Sequence, residues 1–180
     1  MSGEEHITRT FRIPKEYDEI LKIEAKNMGQ SVNSVMGAII EKYVRNDRFY
    51  KDNQLLSVAP TTISKLLLML NDDEVIKSGT LAGGTAARDN LLMRGMNLEF
   101  DSVKWFIEEI LGKYAGWFTC NYHKMEGVHM FHLRHILDES WSLFIQAYLE
   151  EMVNNILELD VDASLSGNTV TLRIPVKATK

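Results

Sequence analysis

Residues 6–14 read His6-Ile7-Thr8-Arg9-Thr10-Phe11-Arg12-Ile13-Pro14. Apolar and polar side chains alternate along this stretch except at Arg9, which interrupts the apolar face near its start where it can reach solvent, and this is the period-two pattern of a β-strand with one buried face. The polar face consists of Thr8, Thr10 and Arg12. Pro14 ends the strand and is suited to the first turn of a following helix. The pattern predicts a strand over residues 6–13, although alternation alone is equally typical of the solvated face of an edge strand.

Two helical patterns follow the predicted strand. Leu21 and Ala25 recur at helical spacing before Gly29, which is a typical residue after a helix C-terminus. Ser31 is suited to cap a second helix, along which apolar residues recur as far as Tyr43. The strand has no predicted partner within residues 1–50, so we expect it to pair with the same strand of a second copy. Such a two-stranded ribbon fits the major groove of B-DNA.

Residues 6–45 resemble the ribbon-helix-helix fold of the Arc, methionine and CopG-type repressors. The most specific element is the turn Gly29-Gln30-Ser31-Val32-Asn33-Ser34, which is followed by apolar pairs. The resemblance implies a homodimer whose paired strands contact base edges through Thr8, Thr10 and Arg12. The phosphate-binding residues that it implies are Ser31, Val32 and Asn33. A helix begins there, and its free N–H groups and positive dipole end suit a phosphate.

The remainder of the chain predicts an α+β domain. We expect a DNA-binding and dimerisation domain over residues 1–50, a linker over 51–59 and a sensing or oligomerisation domain over 60–180. The predicted helices cover residues 60–70, 72–78, 85–94, 101–112 and 141–156, the last being long and amphipathic. The predicted strands cover residues 117–123 and 128–134, which form a hairpin, and then 161–165 and 169–174. The Gly-rich stretch 78–85 lacks the ending of a phosphate-binding loop and is interpreted as a loop or hinge.

One cluster of metal-ligating residue types lies in the predicted hairpin. It consists of Cys120, His123, His129, His132 and His135. These ligand types suit zinc, nickel or copper, and the cluster resembles the metal domain of the nickel-responsive regulator, which carries the same kind of DNA module. That regulator's His-x-His pair is missing, and a strand would place His132 on the face opposite His129 and His135. The alternative is that these are ordinary strand residues, and we expect neither a tightly bound metal nor any other cofactor.

The sequence does not predict an enzyme. It contains neither a Gly-x-Ser-x-Gly nucleophile elbow nor a His-Glu-x-x-His motif. Cys120 and His123 would be a nucleophile and a base, but strand parity directs their side chains to opposite faces. Trp105, Trp117 and Tyr122 are instead candidates to line an apolar pocket between the long helix and the sheet.

Composition sets broad limits on the function. The 180 residues are 45% hydrophobic, which is typical of a globular protein. A single cysteine excludes an internal disulfide, and the start of the chain lacks the features of a signal peptide, so we expect a cytoplasmic protein without a membrane segment. The net charge of −5 argues weakly against nucleic acid. Residues 1–50, however, hold 8 Lys+Arg and 8 Asp+Glu, so the excess acid lies entirely beyond them.

These patterns together predict a sequence-specific DNA-binding transcriptional regulator. We expect a homodimer or higher oligomer that binds double-stranded DNA and responds through its second domain to a small-molecule or metal effector. One alternative is a protein-interaction or antitoxin-type module whose N-terminal unit mainly dimerises. A further alternative is a metal-responsive regulator that uses the His/Cys cluster.

Overall fold

The computed structural model describes residues 7–50 and 55–176. The chain divides into two compact units between Arg48 and Phe49. The described residues form six α-helices and one four-stranded antiparallel sheet, which confirms the predicted α+β class. None of the helices in this part of the chain combines the length and hydropathy that a bilayer crossing requires.

The first unit contains two helices, α1 (Lys15–Asn27) and α2 (Val32–Arg45). Pro14 directly precedes α1, as its fixed φ favours. After α1, Gly29 adopts a left-handed φ of 64°, which allows the N–H of Gln30 to reach back to the helix. The hydroxyl of Ser31 then caps α2 by accepting a hydrogen bond from the backbone N–H of Ser34 at 3.0 Å. Both helices therefore begin and end where local sequence chemistry predicts.

The strand predicted over residues 6–13 is not found in the single chain. His6 lies outside the described residues, and residues 7–14 belong to no helix or strand. Both helices of the first unit precede every strand of the described chain. The physical reason is that a strand needs a partner for its backbone N–H and C=O groups, and the expected partner belongs to a second copy. The prediction is wrong for the isolated chain.

The second unit combines four α-helices with the sheet. The helices are α3 (Pro60–Leu67), α4 (Asp72–Met93), α5 (Phe100–Trp105) and α6 (Glu139–Leu157), and α5 continues directly as a π-helix over Phe106–Tyr114. The strands are β1 (Thr119–Met125), β2 (Val128–Arg134), β3 (Asp162–Ser166) and β4 (Thr169–Pro175). The predicted hairpin, long helix and terminal strands of this unit are confirmed.

Two hairpins join side by side to make the sheet, in the order β1-β2-β4-β3. Their turns contain Gly127 and Gly167, whose φ angles of 75° and 55° lie in the left-handed region that glycine adopts without strain. Alternate residues of β2 and β4, including Phe131 and Leu172, are fully buried on one face. The same core contains the apolar face of α6, of which Leu149 is a fully buried member. The helices thus cover one face of the sheet.

Helix α4 corrects the prediction of two short helices separated by a loop at residues 78–85. It runs unbroken from Asp72 to Met93. Gly79 and Gly83 are buried within it, and a methyl group at Gly79 would lie 2.6 Å from the carbonyl oxygen of Phe144 in α6. The glycines therefore permit close approach of two helix backbones. Tertiary packing offsets their low helix propensity, and a sequence pattern does not contain that information.

The helix predicted to be capped by Asp101 and to end at Gly112 also differs in its bounds. Its N-cap is Glu99, and Asp101 lies in the first turn. The π-helical segment carries the chain past Gly112 to Tyr114, and the turn ends at Gly116, which has a φ of 68°. The wider π-helical turn keeps backbone hydrogen bonds intact through Gly112, so the left-handed residue that terminates the helix comes four positions later.

Candidate functional site

The residues predicted to contact DNA lie at two places in the first unit. Thr8, Thr10 and Arg12 are exposed in the segment that precedes α1. Ser31 and Asn33 are exposed at the start of α2, with Val32 partly exposed between them. The capping hydroxyl of Ser31 occupies the N–H of Ser34. The preceding N–H groups of Val32 and Asn33 have no partner within the helix and remain suited to an anion.

The charged side chains of the first unit differ in how they are paired. Lys22 forms an ion pair with Asp18 at 2.6 Å, and Lys15 lies 3.6 Å from Glu19. Arg12 forms no ion pair with any described residue. Its guanidinium is therefore accessible and uncompensated, which is the state that a nucleic-acid contact requires.

The first unit exposes an unusual amount of apolar surface. Ala25 is the one buried apolar side chain among described residues 7–48, and α2 has no buried residue. The exposed large apolar side chains are Ile7, Phe11, Ile13, Tyr17, Ile20, Ile23, Met28, Ile39, Ile40, Tyr43 and Val44. Exposed apolar surface of this extent on so small a unit is typical of a surface that packs against another molecule.

The His/Cys cluster is distributed over both faces of the sheet. Cys120 and His129 lie on the face covered by helices, at positions that pair with Leu133 and Lys124. His123 and His132 lie on the opposite face, with their ring centroids 5.8 Å apart. The strands therefore separate the side chains as their parity predicted. In residues 7–50 and 55–176 no three His, Cys, Asp or Glu side chains are grouped so as to hold a metal ion.

His135 belongs to a buried hydrogen-bond network. It is buried at the end of β2, and its Nε2 lies 2.7 Å from the hydroxyl of Ser142. Ser142 in turn donates to the carbonyl oxygen of Gly167 at 2.8 Å, so its hydroxyl is an acceptor toward Nε2–H of His135. Burial lowers the pKa of His135, which is therefore neutral at pH 7. This chain of hydrogen bonds joins β2, α6 and the turn before β4.

Cys120 is poorly suited to act as a catalytic nucleophile. Burial raises the pKa of its thiol to about 12, so the reactive thiolate is scarce at neutral pH. His123 is on the opposite face and does not serve as its base.

The three aromatic residues predicted to line one pocket lie in three different environments. Trp117 packs edge-on against Trp141, with ring centroids 5.2 Å apart. Trp105 lies 5.5 Å from the guanidinium carbon of Arg94. Tyr122 is hydrogen-bonded to His129. The predicted pocket is therefore wrong, because strand and helix packing direct these rings to separate parts of the core.

A cavity of about 390 Å³ lies elsewhere in the second unit, where the start of α5, the start of β2 and the end of α6 meet. Its lining residues are Leu98, Glu99, Phe100, His129, Ile156, Leu157, Glu158, Leu159 and Pro175. Six of these side chains are apolar, two are carboxylates and one is an imidazole. The volume is within the range of small-molecule sites, which is about 300–1,000 Å³.

His129 is the buried polar residue of this cavity. Its ring stacks on Phe100 with centroids 3.7 Å apart, and its Nδ1 lies 2.7 Å from the hydroxyl oxygen of Tyr122. Burial is the main cause that lowers its pKa, and the charge of Lys124 adds to the effect. The imidazole is therefore neutral at pH 7 and held in one orientation. Its Nε2 makes no hydrogen bond to the described residues.

Glu158 has an unusual backbone conformation beside the cavity. It ends α6 with φ 55° and ψ 44°, and no other non-glycine residue in the described ranges has a positive φ. Glycine is the usual residue at such a helix end, since a side chain there is strained.

Arg94, which directly follows α4, contacts the first residues of the second unit. Its guanidinium carbon lies 4.2 Å from the centroid of the Phe49 ring and 5.8 Å from that of Tyr50. Asn90 holds Arg94 and Tyr50 together. Its side-chain oxygen accepts a hydrogen bond from Nε of Arg94 at 2.7 Å, and its side-chain nitrogen donates to the hydroxyl of Tyr50 at 2.8 Å. We call this group of four residues the Arg94 clamp. Leu98, which lines the cavity, is four residues after Arg94 in the chain.

Sequence reasoning missed the cavity and the clamp for the same reason. Their members come from segments far apart in the chain, and no short motif contains them. Strand parity is the sequence feature that bears on the cavity, because His129 shares a face of β2 with the apolar residues Phe131 and Leu133.

No protein-family model matches the chain, and neither a curated protein nor a solved structure does. The functional assignment rests on the residues and contacts described above.

Proposed function

We propose that the chain is a homodimeric or higher-oligomeric, sequence-specific DNA-binding transcriptional regulator of the cytoplasm, with an N-terminal ribbon-helix-helix module and a C-terminal sensing domain. The observation that carries the proposal is the exposed apolar surface of residues 7–48, of which only Ala25 is a buried apolar side chain. A second copy of the same unit supplies the missing core.

Dimerisation also explains the segment that precedes α1. Residues 7–13 alternate apolar and polar side chains but have no partner strand in one chain. Antiparallel pairing with a second copy satisfies the backbone groups of both segments. It places Ile7, Phe11 and Ile13 against the helices and directs the other face outward.

The outward face has the chemistry of base recognition. Arg12 chelates O6 and N7 of guanine, and the hydroxyl and methyl groups of Thr8 and Thr10 suit several base edges. The N-terminus of α2 binds a backbone phosphate through the N–H groups of Val32 and Asn33. Phosphate contacts fix the register of the ribbon, while the strand side chains provide specificity.

The second unit supports a sensing role through its cavity and the Arg94 clamp. Phe49 and Tyr50 lie in the clamp and continue directly from the last residue of the first unit. A ligand that shifts Leu98 or Phe100 also shifts the end of α4, because only a short segment separates them. Ligand occupancy would thereby be transmitted to Phe49 and Tyr50, the residues that follow the first unit in the chain.

The test is selection of bound sequences from random duplex DNA with the full-length chain, accompanied by sedimentation analysis. We expect a dimer or larger species that enriches a site with two related half-sites. A stable monomer, or a dimer that enriches no sequence, contradicts the proposal. The second of these outcomes favours the antitoxin-type alternative, in which the first unit only dimerises.

A further inference from the structure

We propose that the cavity between α5, β2 and the end of α6 binds a small organic cation, namely an amine with an apolar aliphatic or aromatic body. This inference deepens the proposed function, because it names the class of ligand that the second unit senses. It is tested without DNA, so its outcome is independent of DNA binding.

The apolar lining determines the body of the ligand. Phe100, Ile156 and Leu159 contribute hydrophobic surface to the cavity, and Pro175 closes its side at the end of β4. Burial of apolar area is the main source of affinity in a site of this size. A fully hydrated ligand, such as a free sugar or an inorganic ion, does not use this surface.

The charges at the opening determine the sign of the charge on the ligand's polar group. Glu99 and Glu158 are the two charged side chains of the lining, and no Lys or Arg is part of it. Both carboxylates are exposed, and neither forms an ion pair with the described residues. The nearby Lys104 is instead paired with Glu108 at 2.9 Å, and Lys124, which is opposite His129 in the sheet, is not part of the lining. An ammonium group is therefore attracted to the opening, whereas a carboxylate or phosphate is repelled.

His129 adds a directional contact in the interior. Phe100 and Tyr122 fix its ring, the residue is only 8% exposed, and its Nε2 makes no hydrogen bond to the described residues. A neutral imidazole has one hydrogen-bonding nitrogen available here and does not repel a cation. When Nδ1–H of His129 donates to the hydroxyl of Tyr122, Nε2 is an acceptor and can take a hydrogen bond from the ammonium group of the ligand.

The backbone of Glu158 indicates that its carboxylate has a role. A non-glycine residue in the left-handed region is strained, and such strained positions cluster at functional sites. Glycine would relieve the strain but remove the carboxylate from the cavity. The structure thus places a costly acidic residue at the opening of an apolar cavity.

The experiment measures binding of primary amines to the full-length chain in the absence of DNA. The probes are hexylamine, 2-phenylethylamine and tryptamine, each compared with the alcohol and the carboxylate of the same body. Binding is followed by titration calorimetry and by the NMR resonances of His129. We expect saturable binding of at least one amine at about 1 mM or below, and at least about tenfold weaker binding of its alcohol and carboxylate.

Two variants distinguish the effect of the Glu158 charge on binding from an effect on folding. Glu158→Gln keeps the backbone and removes one charge, so it should weaken amine binding about tenfold and leave binding of the alcohol unchanged. Glu139→Gln, exposed at the opposite end of α6 from the cavity, is the matched control and should bind like the wild type. The proposal is overturned if none of the amines binds up to about 10 mM, if alcohols or carboxylates bind as tightly, or if Glu158→Gln has no effect.

Discussion

Gly83 of α4 packs directly against the backbone carbonyl of Tyr148 in α6, without room for a methyl group between the two helices. The carbonyl carbon of Tyr148 would lie only 3.0 Å from a side-chain carbon at this position. Because the obstacle is backbone, it does not rotate away as a flexible side chain would. The contact between α4 and α6 therefore depends on the absence of a side chain.

We expect Gly83→Ala to destabilise the protein by about 1–3 kcal/mol, because the helices must separate to admit the methyl group. Urea denaturation measures the change. The adjacent Gly84→Ala is the matched control, since its nearest neighbour, the carboxylate of Glu151, would lie 3.8 Å away. It should be neutral or stabilising by up to about 1 kcal/mol, as alanine is the better helix former. Equal losses in both variants would show that the packing at Gly83 is not the cause.

Arg12→Ala should weaken binding to the selected DNA site by about 1–3 kcal/mol and relax the preference at one base pair. The reason is loss of a guanine contact from the outward face of the ribbon. Arg9→Ala removes the same charge from the face that alternation directs inward, and it should leave the base preference intact. The affinities for the selected and a scrambled duplex decide the matter. An equal loss on both duplexes for Arg12→Ala would leave only a phosphate contact.

Ile39→Asp should convert the proposed dimer to a monomer, because it places a charge in the exposed apolar surface of α2 that we propose a second copy covers. Sedimentation across a range of concentrations detects the change, and DNA binding should be lost with it. Leu81→Asp makes the same substitution at an exposed position of α4 and should remain dimeric. A dimeric Ile39→Asp protein would locate the dimer contact outside the first unit.

The buried histidines should make the second unit less stable in mild acid. Burial lowers the pKa of His129 and of His135, so below about pH 6.5 the unfolded chain binds protons that the folded chain does not. Their contribution to stability is complete above that pH and decreases as the pH falls toward the lowered folded values. Urea midpoints across this interval test the sign. His135→Gln should give a shallower dependence than His123→Gln, which removes an exposed imidazole.

Glu158→Gly should stabilise the fold by up to about 1 kcal/mol, because glycine adopts the left-handed conformation at the end of α6 without strain. Thermal unfolding measures this gain. Combined with weaker amine binding, it would demonstrate that the carboxylate is retained at the expense of stability. A loss of stability would instead mean that the glutamate side chain supports the fold.

Local chemistry predicted much of the fold. Pro14, Gly29 and Ser31 mark the bounds of α1 and α2, and the turns at Gly127 and Gly167 mark both hairpins, because each residue acts through its own backbone or its nearest neighbours. The α4 prediction was wrong because the reason for its glycines lies in α6, far away in the sequence.

The candidate site was less accessible to prediction. The parity of β2 correctly placed His129 and His132 on opposite faces, since strand geometry alone decides it. Neither the cavity around His129 nor the conformation of Glu158 follows from a local pattern. Both depend on how α5, α6 and β4 meet, which only the assembled core determines.

The nearly coreless first unit has a consequence for how the protein responds to its own abundance. If the first unit acquires its core by the proposed association, it folds in a bimolecular step, and its stability depends on protein concentration. The population of folded, DNA-competent module then rises more steeply than the amount of chain produced. Expression level itself would act as a threshold, below which newly made chains carry an unassembled module exposed to proteases.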